Sequence, residues 1–332
     1  MIKSYLLGID IGTSACKVAV FDRNGKVLAA ASGDYPVYYP HEGWAEQNPE
    51  EWWDAVCRAT KETIQKADIT ADEIAGIGID GQSWSAIPID REGNVLANTP
   101  IWMDTRAQSI CDRLNQEIGQ EEIFEVAGNS LQPSYSTAKI LWYKENLPEV
   151  YAKIYKILQS NSYIAFKLTG AVTQDVSQGY GLHCFNMKKG CWDEKMCKRL
   201  GIPMEFLPEI CDCDYVVGTV TGKAAAECGL VEGTPVVAGG LDAACGTLGA
   251  GVIHSGETQE QGGQAGGMSI CTEEYKADPR LILSYHVVPG KWLLQGGTTG
   301  GGGVMRWFER EFAEYERDRK STRLNSSHTP QS

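Results

Sequence analysis

Near the amino terminus an aspartate is followed by small, hydroxylated and basic residues, Asp10-Ile-Gly-Thr-Ser-Ala-Cys-Lys17, and far downstream a second follows two glycines, Gly239-Gly-Leu-Asp242. A turn of the first composition offers phosphoryl oxygens the backbone N–H groups from Gly12 onward, the hydroxyls of Thr13 and Ser14, and the charge of Lys17. Asp10 can hold Mg2+ through water. The segment is not a P-loop, because Gly-Lys-Ser/Thr is absent at the required spacing. Nor is it a dinucleotide fingerprint, since no Gly-x-Gly-x-x-Gly follows the first strand. Asp242 leads into Ala243-Ala-Cys-Gly-Thr-Leu-Gly249 and so can stand at a helix start. There it can act as a plain cap. A phosphate cradle answered by a carboxylate suits phosphoryl transfer, which depends on positioning and charge more than on covalent help.

The elements that would position these residues can be read from periodicity. Tyr5 to Asp10, Lys17 to Phe21 and Lys26 to Ala30 read as strands of an antiparallel meander, with Asp22-Arg-Asn-Gly25 as a turn. Asn48-Pro-Glu-Glu51 opens a helix, with Asn48 as cap and Glu51 placed to close a capping box. Trp53, Val56, Cys57, Thr60 and Ile64 then repeat at helical spacing and give one packing face. Ile74 to Asp80 is an apolar run suited to a strand covered on both sides. Ala86 to Asp90 with Arg91-Glu-Gly-Asn94 reads as another hairpin. Ala138 to Tyr143 and Tyr151 to Leu168 turn helical. Short strands are expected around Gly218–Val220 and Pro235–Gly239, and Trp292 to Gln295 is strand-like. A helix begins at Met305. Glycine pairs crowd 262–303, where backbone must approach a ligand or turn sharply.

The 332 residues exceed one ordinary core, so more than one domain is expected. The formal charge of −13 argues against a nucleic-acid partner, which would want a basic face. The first ten residues meet a charge and a glycine too early for a secretory leader, and no apolar run reaches membrane-spanning length. The sequence therefore reads as cytoplasmic and without a membrane partner. Eleven cysteines, mostly scattered singly in apolar stretches, suit reduced core thiols better than a disulfide framework. Cys211-Asp-Cys213 lacks a second ligand pair at zinc spacing.

Four motifs in order carry a family resemblance: Asp10-x-Gly-Thr-Ser, Gly43-Trp-Ala-Glu-Gln47 before Pro-Glu-Glu-Trp-Trp, Trp102-Met-Asp-Thr-Arg106 and Gly239-Gly-Leu-Asp242. The chain from residue 5 to about 312 resembles the FGGY carbohydrate kinases. That resemblance implies an α/β protein of the actin-like ATPase (ribonuclease H-like) fold, with a complete first domain and an incomplete second. Residues 1–240 would be the sugar-binding domain, 241–320 the start of a nucleotide-binding domain, and 321–332 an unstructured or foreign tail. It implies ATP and Mg2+ as cofactors, a small sugar as partner, and room for a homodimer.

By position, Asp242 matches the family's catalytic aspartate, which also touches the sugar. Trp102 and Asp104 match the segment lining the sugar pocket, with Arg106 supporting it. Gln82, Ser83 and Trp84 match the sugar-selecting loop, which reads Gly-Gln-Met-His in xylulokinases. Gly-Gln is kept here, whereas Ser83 and Trp84 replace the last two. Glycerol kinases carry Arg-Glu in this loop. Phosphate contacts would come from Gly12, Thr13, Ser14, Lys17, Gly263, Gln264, Gly301 and Gly302. The second phosphate turn is altered from Gly-Thr-Ser-Gly to Gly263-Gln-Ala-Gly266 and loses both hydroxyls.

The expected reaction is ATP-dependent phosphorylation of a sugar hydroxyl, D-xylulose to D-xylulose 5-phosphate, in a longer parent protein. This chain alone is expected to hold sugar weakly and to lack a full adenine site. Kinases for another ketose or polyol remain open, as does a non-catalytic sugar-binding protein. An actin-like or Hsp70-like ATPase would have no reason to keep Gln82 and Asp104.

Overall fold

Alternation of apolar and polar residues in the first thirty positions becomes three antiparallel strands, β1 (Tyr5–Ile11), β2 (Ala15–Phe21) and β3 (Val27–Asp34). They lie in a computed structural model that describes residues 4–262, 266–298 and 300–313. A 19-residue helix, α1 (Pro49–Ala67), covers the meander. Asn48 caps it by accepting from the Glu50 N–H at 3.0 Å, and Pro49 takes the first turn, where its missing N–H costs nothing. The expected capping box does not form. Glu51 instead accepts from the Tyr38 hydroxyl at 2.8 Å, which ties the helix to the preceding loop. Trp52, Trp53, Ala55, Val56 and Ala59 are buried, and each large side chain removed from water contributes about 1.5–3 kcal/mol. The helix sits so close to β3 that a Cβ on Gly33 would stand 2.9 Å from the Ala55 carbonyl.

Strand β4 (Ile74–Gly81) pairs parallel with β1. Two helices, α2 (Ser136–Asn146) and α3 (Ser160–Thr169), precede the remaining strands: β5 (Val216–Thr219), β6 (Pro235–Val237) and the two-residue β7 (Gly240–Leu241). The sheet order is β5-β6-β4-β1-β2-β3, with β7 also on β4. Helix α4 (Asp242–Gly249) follows β7 directly. A second, wholly antiparallel sheet takes β8 (Thr258–Gly262), β9 (Gly266–Thr272), β10 (Ile282–Tyr285) and β11 (Trp292–Thr298) in the order β8-β9-β11-β10. It ends in α5 (Gly302–Phe312). Leu241 and Ala244 share a buried cluster with Cys271, Leu283 and Leu293, which joins the second sheet to the first.

Several expectations are revised. The helical stretch expected over Tyr151–Leu168 is interrupted by a strand, Lys156–Leu158, which pairs with Ile87–Ile89; helix resumes only at Ser160. The 86–94 hairpin consequently reduces to one bridge, Ile89 with Val95, because strand 87–89 finds its main partner elsewhere. The last helix begins at Gly302 rather than Met305. Cys57 on α1 and Cys228, ending the helix Gly222–Cys228, are joined as a disulfide, so the reading of reduced thiols fails for that pair. The other nine cysteines are free. Gly263, Gln264 and the 321–332 tail lie outside the described residues.

One glycine controls how β7 reaches the sheet. Gly239 has φ +72°, and a Cβ there would stand 1.7 Å from the Ile79 carbonyl oxygen. Gly78, on the same strand as Ile79, has open space at its Cβ position. We expect Gly239→Ala to cost more than about 3 kcal/mol, since a left-handed backbone and a clash coincide. Gly78→Ala should stay within about 1 kcal/mol of the parent. Urea denaturation of the two variants checks this.

Candidate active site

Parallel pairing of β1 and β4 sets Gly8 beside Gly78, Ile9 beside Ile79 and Asp10 beside Asp80. The two strands thus carry the same tripeptide, Gly-Ile-Asp, in register one residue before their ends. Strand β7 adds Gly240 opposite Asp80 and Leu241 opposite Gly81, so Asp242 emerges just past these strand ends as the first residue of α4. Ligand sites in such sheets form beyond the carboxyl ends of parallel strands. Across the other edge of β1, Asp10 faces Lys17 as a cross-strand pair, with Oδ2 and Nζ 3.0 Å apart.

The electrostatics follow from three carboxyls sharing this space with one cation. Burial, followed by the charge of Asp10 and then of Asp242, pushes the Asp80 carboxyl well up, and its side chain hydrogen-bonds to that of Asp10. Burial, opposed by the Ala243 N–H and reinforced by Asp10, raises Asp242 to about 7. Lys17 is held more firmly protonated by its hydrogen bond to Asp10 and that group's charge. A carboxylate with raised proton affinity is a better base than an exposed one, so Asp242 is poised to take a proton near neutral pH.

The hairpin after Asp10 has the form of a cradle. Gly12 donates to the Ala15 carbonyl at 3.1 Å and accepts from the Tyr35 hydroxyl at 2.6 Å. A Cβ on Gly12 would meet that Ala15 oxygen at 3.0 Å. Ser14 and Lys17 are exposed and Thr13 is partly so. Asp10 presents hard carboxylate oxygens of the kind Mg2+ takes with a retained water shell. These features fit a nucleotide phosphate and its cation. At the far end of the chain, Gly301 and Gly302 form the start of α5, and the Gly301 Cα lies 3.7 Å from where a Cβ on Gly266 would stand. The glycine-rich end of the second sheet therefore abuts a helix start.

The residues expected on the sugar side divide into two groups. Trp102 Nε1 donates to Thr13 Oγ1 at 3.0 Å, which joins its segment to the cradle. Ser83 and Trp84 are partly exposed; the Tyr180 hydroxyl donates to Ser83 Oγ at 3.2 Å, and Tyr180 senses the charge of Asp242. Gln82 and Asp104, by contrast, turn inward. Gln82 is 1% exposed and donates to Gln47 Oε1, and Gln47 in turn donates to the Thr13 carbonyl. Asp104 is fully buried, with its oxygens taken by Ala45 N–H and by Arg106 N–H and guanidinium. Asp104 therefore acts as a buried staple that ties Ala45 to Arg106. Arg106 is held beside it, its guanidinium lying over Trp44 and bonded to Glu46.

Two site residues escaped the sequence reading. Asp80 passed as a strand end, although the repeated Gly-Ile-Asp of 8–10 and 78–80 signals it. Tyr35, which fixes the Gly12 carbonyl, had no local signal. Two surface clefts, one lined by Glu50, Phe166 and Lys167 and one by Trp44, Arg106 and Trp142, include none of the three carboxyls.

The raised proton affinity of Asp242 has a stability consequence. Its folded value, about 7, exceeds the ordinary 3.8, so folding is favoured by the neutral form and loses stability as pH rises from about 4 through 7. Asp242→Asn should therefore raise Tm by about 2–5 °C at pH 8, with the gain vanishing near pH 4. Thermal unfolding of both proteins across that range is the check.

Residues 5–249 match the family model described as the FGGY family of carbohydrate kinases, N-terminal domain. Xylulose kinase of Bacillus subtilis is 32% identical over 314 residues, 94% of this chain and 63% of that protein. Gluconokinase of the same organism is 29% identical over 318 residues, 94% of this chain and 61% of that protein. The crystal structure of xylulose kinase from Rhodospirillum rubrum superposes with a TM-score of 0.88 at 28% identity, covering 98% of this chain and 67% of that one. The chain thus spans somewhat under two thirds of the curated relatives it matches. With an actin-like ATPase fold, its strand-end carboxyls in register and this match, the chain belongs to the FGGY family of carbohydrate kinases.

Proposed function

We propose that the protein carrying this chain transfers a phosphoryl group from ATP to a primary hydroxyl of a ketopentose, D-xylulose being the leading substrate. The observation that carries the reading is the convergence of Asp10, Asp80 and Asp242 at adjoining strand ends, with a phosphate-type hairpin beside them. Asp242 accepts the proton of the attacking hydroxyl, and its position at a helix start, with Oδ1 receiving the Ala243 N–H at 2.6 Å, holds one oxygen and leaves the other for substrate. Gly12, Thr13, Ser14 and Lys17 hold phosphoryl oxygens, and Asp10 stands where the cation's water shell would be received. Bound MgATP would supply the phosphoryl group and the cation that spreads its charge. Trp102 and Trp84 offer aromatic faces to the carbon chain of the sugar, and Ser83 offers a hydroxyl.

Support for a ketopentose comes from the retained Gly81-Gln82 pair and the xylulose kinases among the relatives. The gluconokinase match and the Ser83-Trp84 replacement favour keeping an aldonate or polyol as the second reading. The division into residues 1–240, 241–320 and 321–332 is likewise a proposal. The boundary between the first two is supported by the end of the first sheet at β7, which straddles it, and by the start of the second sheet at Thr258. Absence of any helix long and apolar enough to cross a membrane holds among the described residues.

ADP release by the full-length protein with MgATP, measured against D-xylulose, other pentuloses, gluconate and glycerol, tests the reading. We expect one ketopentose to give the highest kcat/KM, with activity falling as pH drops below about 7, where Asp242 becomes protonated. Asp242→Asn should lower kcat by at least about 10³-fold, comparable to the loss of a catalytic base. Equal turnover with and without every sugar would overturn it.

A further inference from the structure

Helix α2 presents three polar side chains at the spacing i, i+3 and i+7, Ser136, Lys139 and Tyr143, which places them on one face. That face meets three successive carbonyls. Ser136 Oγ donates to the Ser85 oxygen at 2.9 Å, Lys139 Nζ to the Trp84 oxygen at 2.7 Å, and the Tyr143 hydroxyl to the Ala86 oxygen at 3.0 Å. The stretch 84–86 is thereby held by a helix rather than by a sheet ladder.

Lys139 is the unusual member. It is 0% exposed, and its second hydrogen bond, at 2.8 Å, goes to the carbonyl of Ile101, immediately before Trp102. Both of these hydrogen-bond partners are neutral carbonyls, although moving an ammonium out of water is expensive unless a carboxylate meets it. Burial accordingly pushes its proton affinity down to about 7, with Asp104 opposing. A methionine or leucine would fill the same space at lower cost.

Trp84, whose carbonyl Lys139 holds, has φ +62°, one of two non-glycine residues among those described with a left-handed backbone. Its N–H is fixed by Gln159 Oε1 at 3.1 Å, and its ring stacks on Tyr135 with centroids 4.2 Å apart. Backbone strain of this kind persists only where surrounding groups over-determine it, and it concentrates at ligand clamps.

We infer that Lys139 is a positioning residue for sugar binding, clamping the Trp84 loop to the Trp102 segment so that the two indoles face the substrate at a fixed separation. This rests on the kinase reading above. The clamp acts on ground-state binding of the sugar and not on the Asp10, Lys17 and Asp242 machinery.

The test uses the full-length protein. Sugar affinity is followed by tryptophan fluorescence and, in parallel, kcat and both KM values by ADP release. Lys139→Met should raise sugar Kd and KM by at least about tenfold while kcat and the KM for ATP change less than about threefold. Lys139→Arg, which retains the donors, should recover part of the loss. Tyr143→Phe removes an anchor from the same helix face without touching Trp84 or Ile101; it should lower Tm yet leave sugar KM within about twofold. If Lys139→Met does not fold, Lys139→Arg against Tyr143→Phe carries the comparison, and Lys139→Arg should show the larger rise in sugar KM. Unchanged sugar affinity in both Lys139 variants, or equal shifts in Tyr143→Phe, would overturn the clamp while leaving the kinase reading intact. Failure of the wild-type protein to bind or phosphorylate any sugar of the panel would overturn both.

Discussion

Everything at the centre of this molecule depends on one parallel pairing, β1 against β4, and on its register. Sliding β4 by one residue would send Asp80 to the opposite face of the sheet and exchange it for an apolar neighbour, because side chains alternate with a period of two. In register, Asp10 and Asp80 emerge side by side, and β7 can close on the same strand end to deliver Asp242. Glycine at 239 makes that closure possible, since no side chain fits between this turn and the Ile79 carbonyl. Charges that repel one another are gathered here, and the hydrophobic contacts of Ile9, Ile77 and Ile79 on either side offset the cost.

Much of this arrangement was legible in the residues themselves. Strands with clean alternation or unbroken apolar runs, such as 5–11 and 74–81, announce themselves because their burial pattern is written into the side chains. The cap at Asn48 did so through its chemistry. Gly-Thr-Ser after Asp10 and Gly-Gly before Asp242 stood out because few structures need those types at those places.

What escaped notice depends on partners distant in sequence. Lys156–Leu158 looks helical locally and becomes a strand only because Ile87–Ile89 needs an edge partner. Glu51 leaves its capping position for a hydroxyl thirteen residues back. Asp104 reads as an acceptor for sugar hydroxyls until Ala45 and Arg106 are seen to occupy its oxygens. Cys57 and Cys228 meet across 171 residues, through the packing of two helices that no local pattern connects.

The loop carrying Ser83 and Trp84 and the segment leading into Asp242 are linked by an unbroken run of hydrogen bonds. The Trp84 N–H binds Gln159, the Gln159 amide binds the Gln178 carbonyl, and the Gln178 N–H binds Asp175. Asp175 also receives the Ser177 hydroxyl, which in turn accepts from the N–H of Leu241, one residue before Asp242. A loop grafted here from another relative must therefore meet the hydrogen-bonding demands of Gln159, Asp175, Ser177 and Gln178, which seat residue 84 at one end and the N–H before Asp242 at the other.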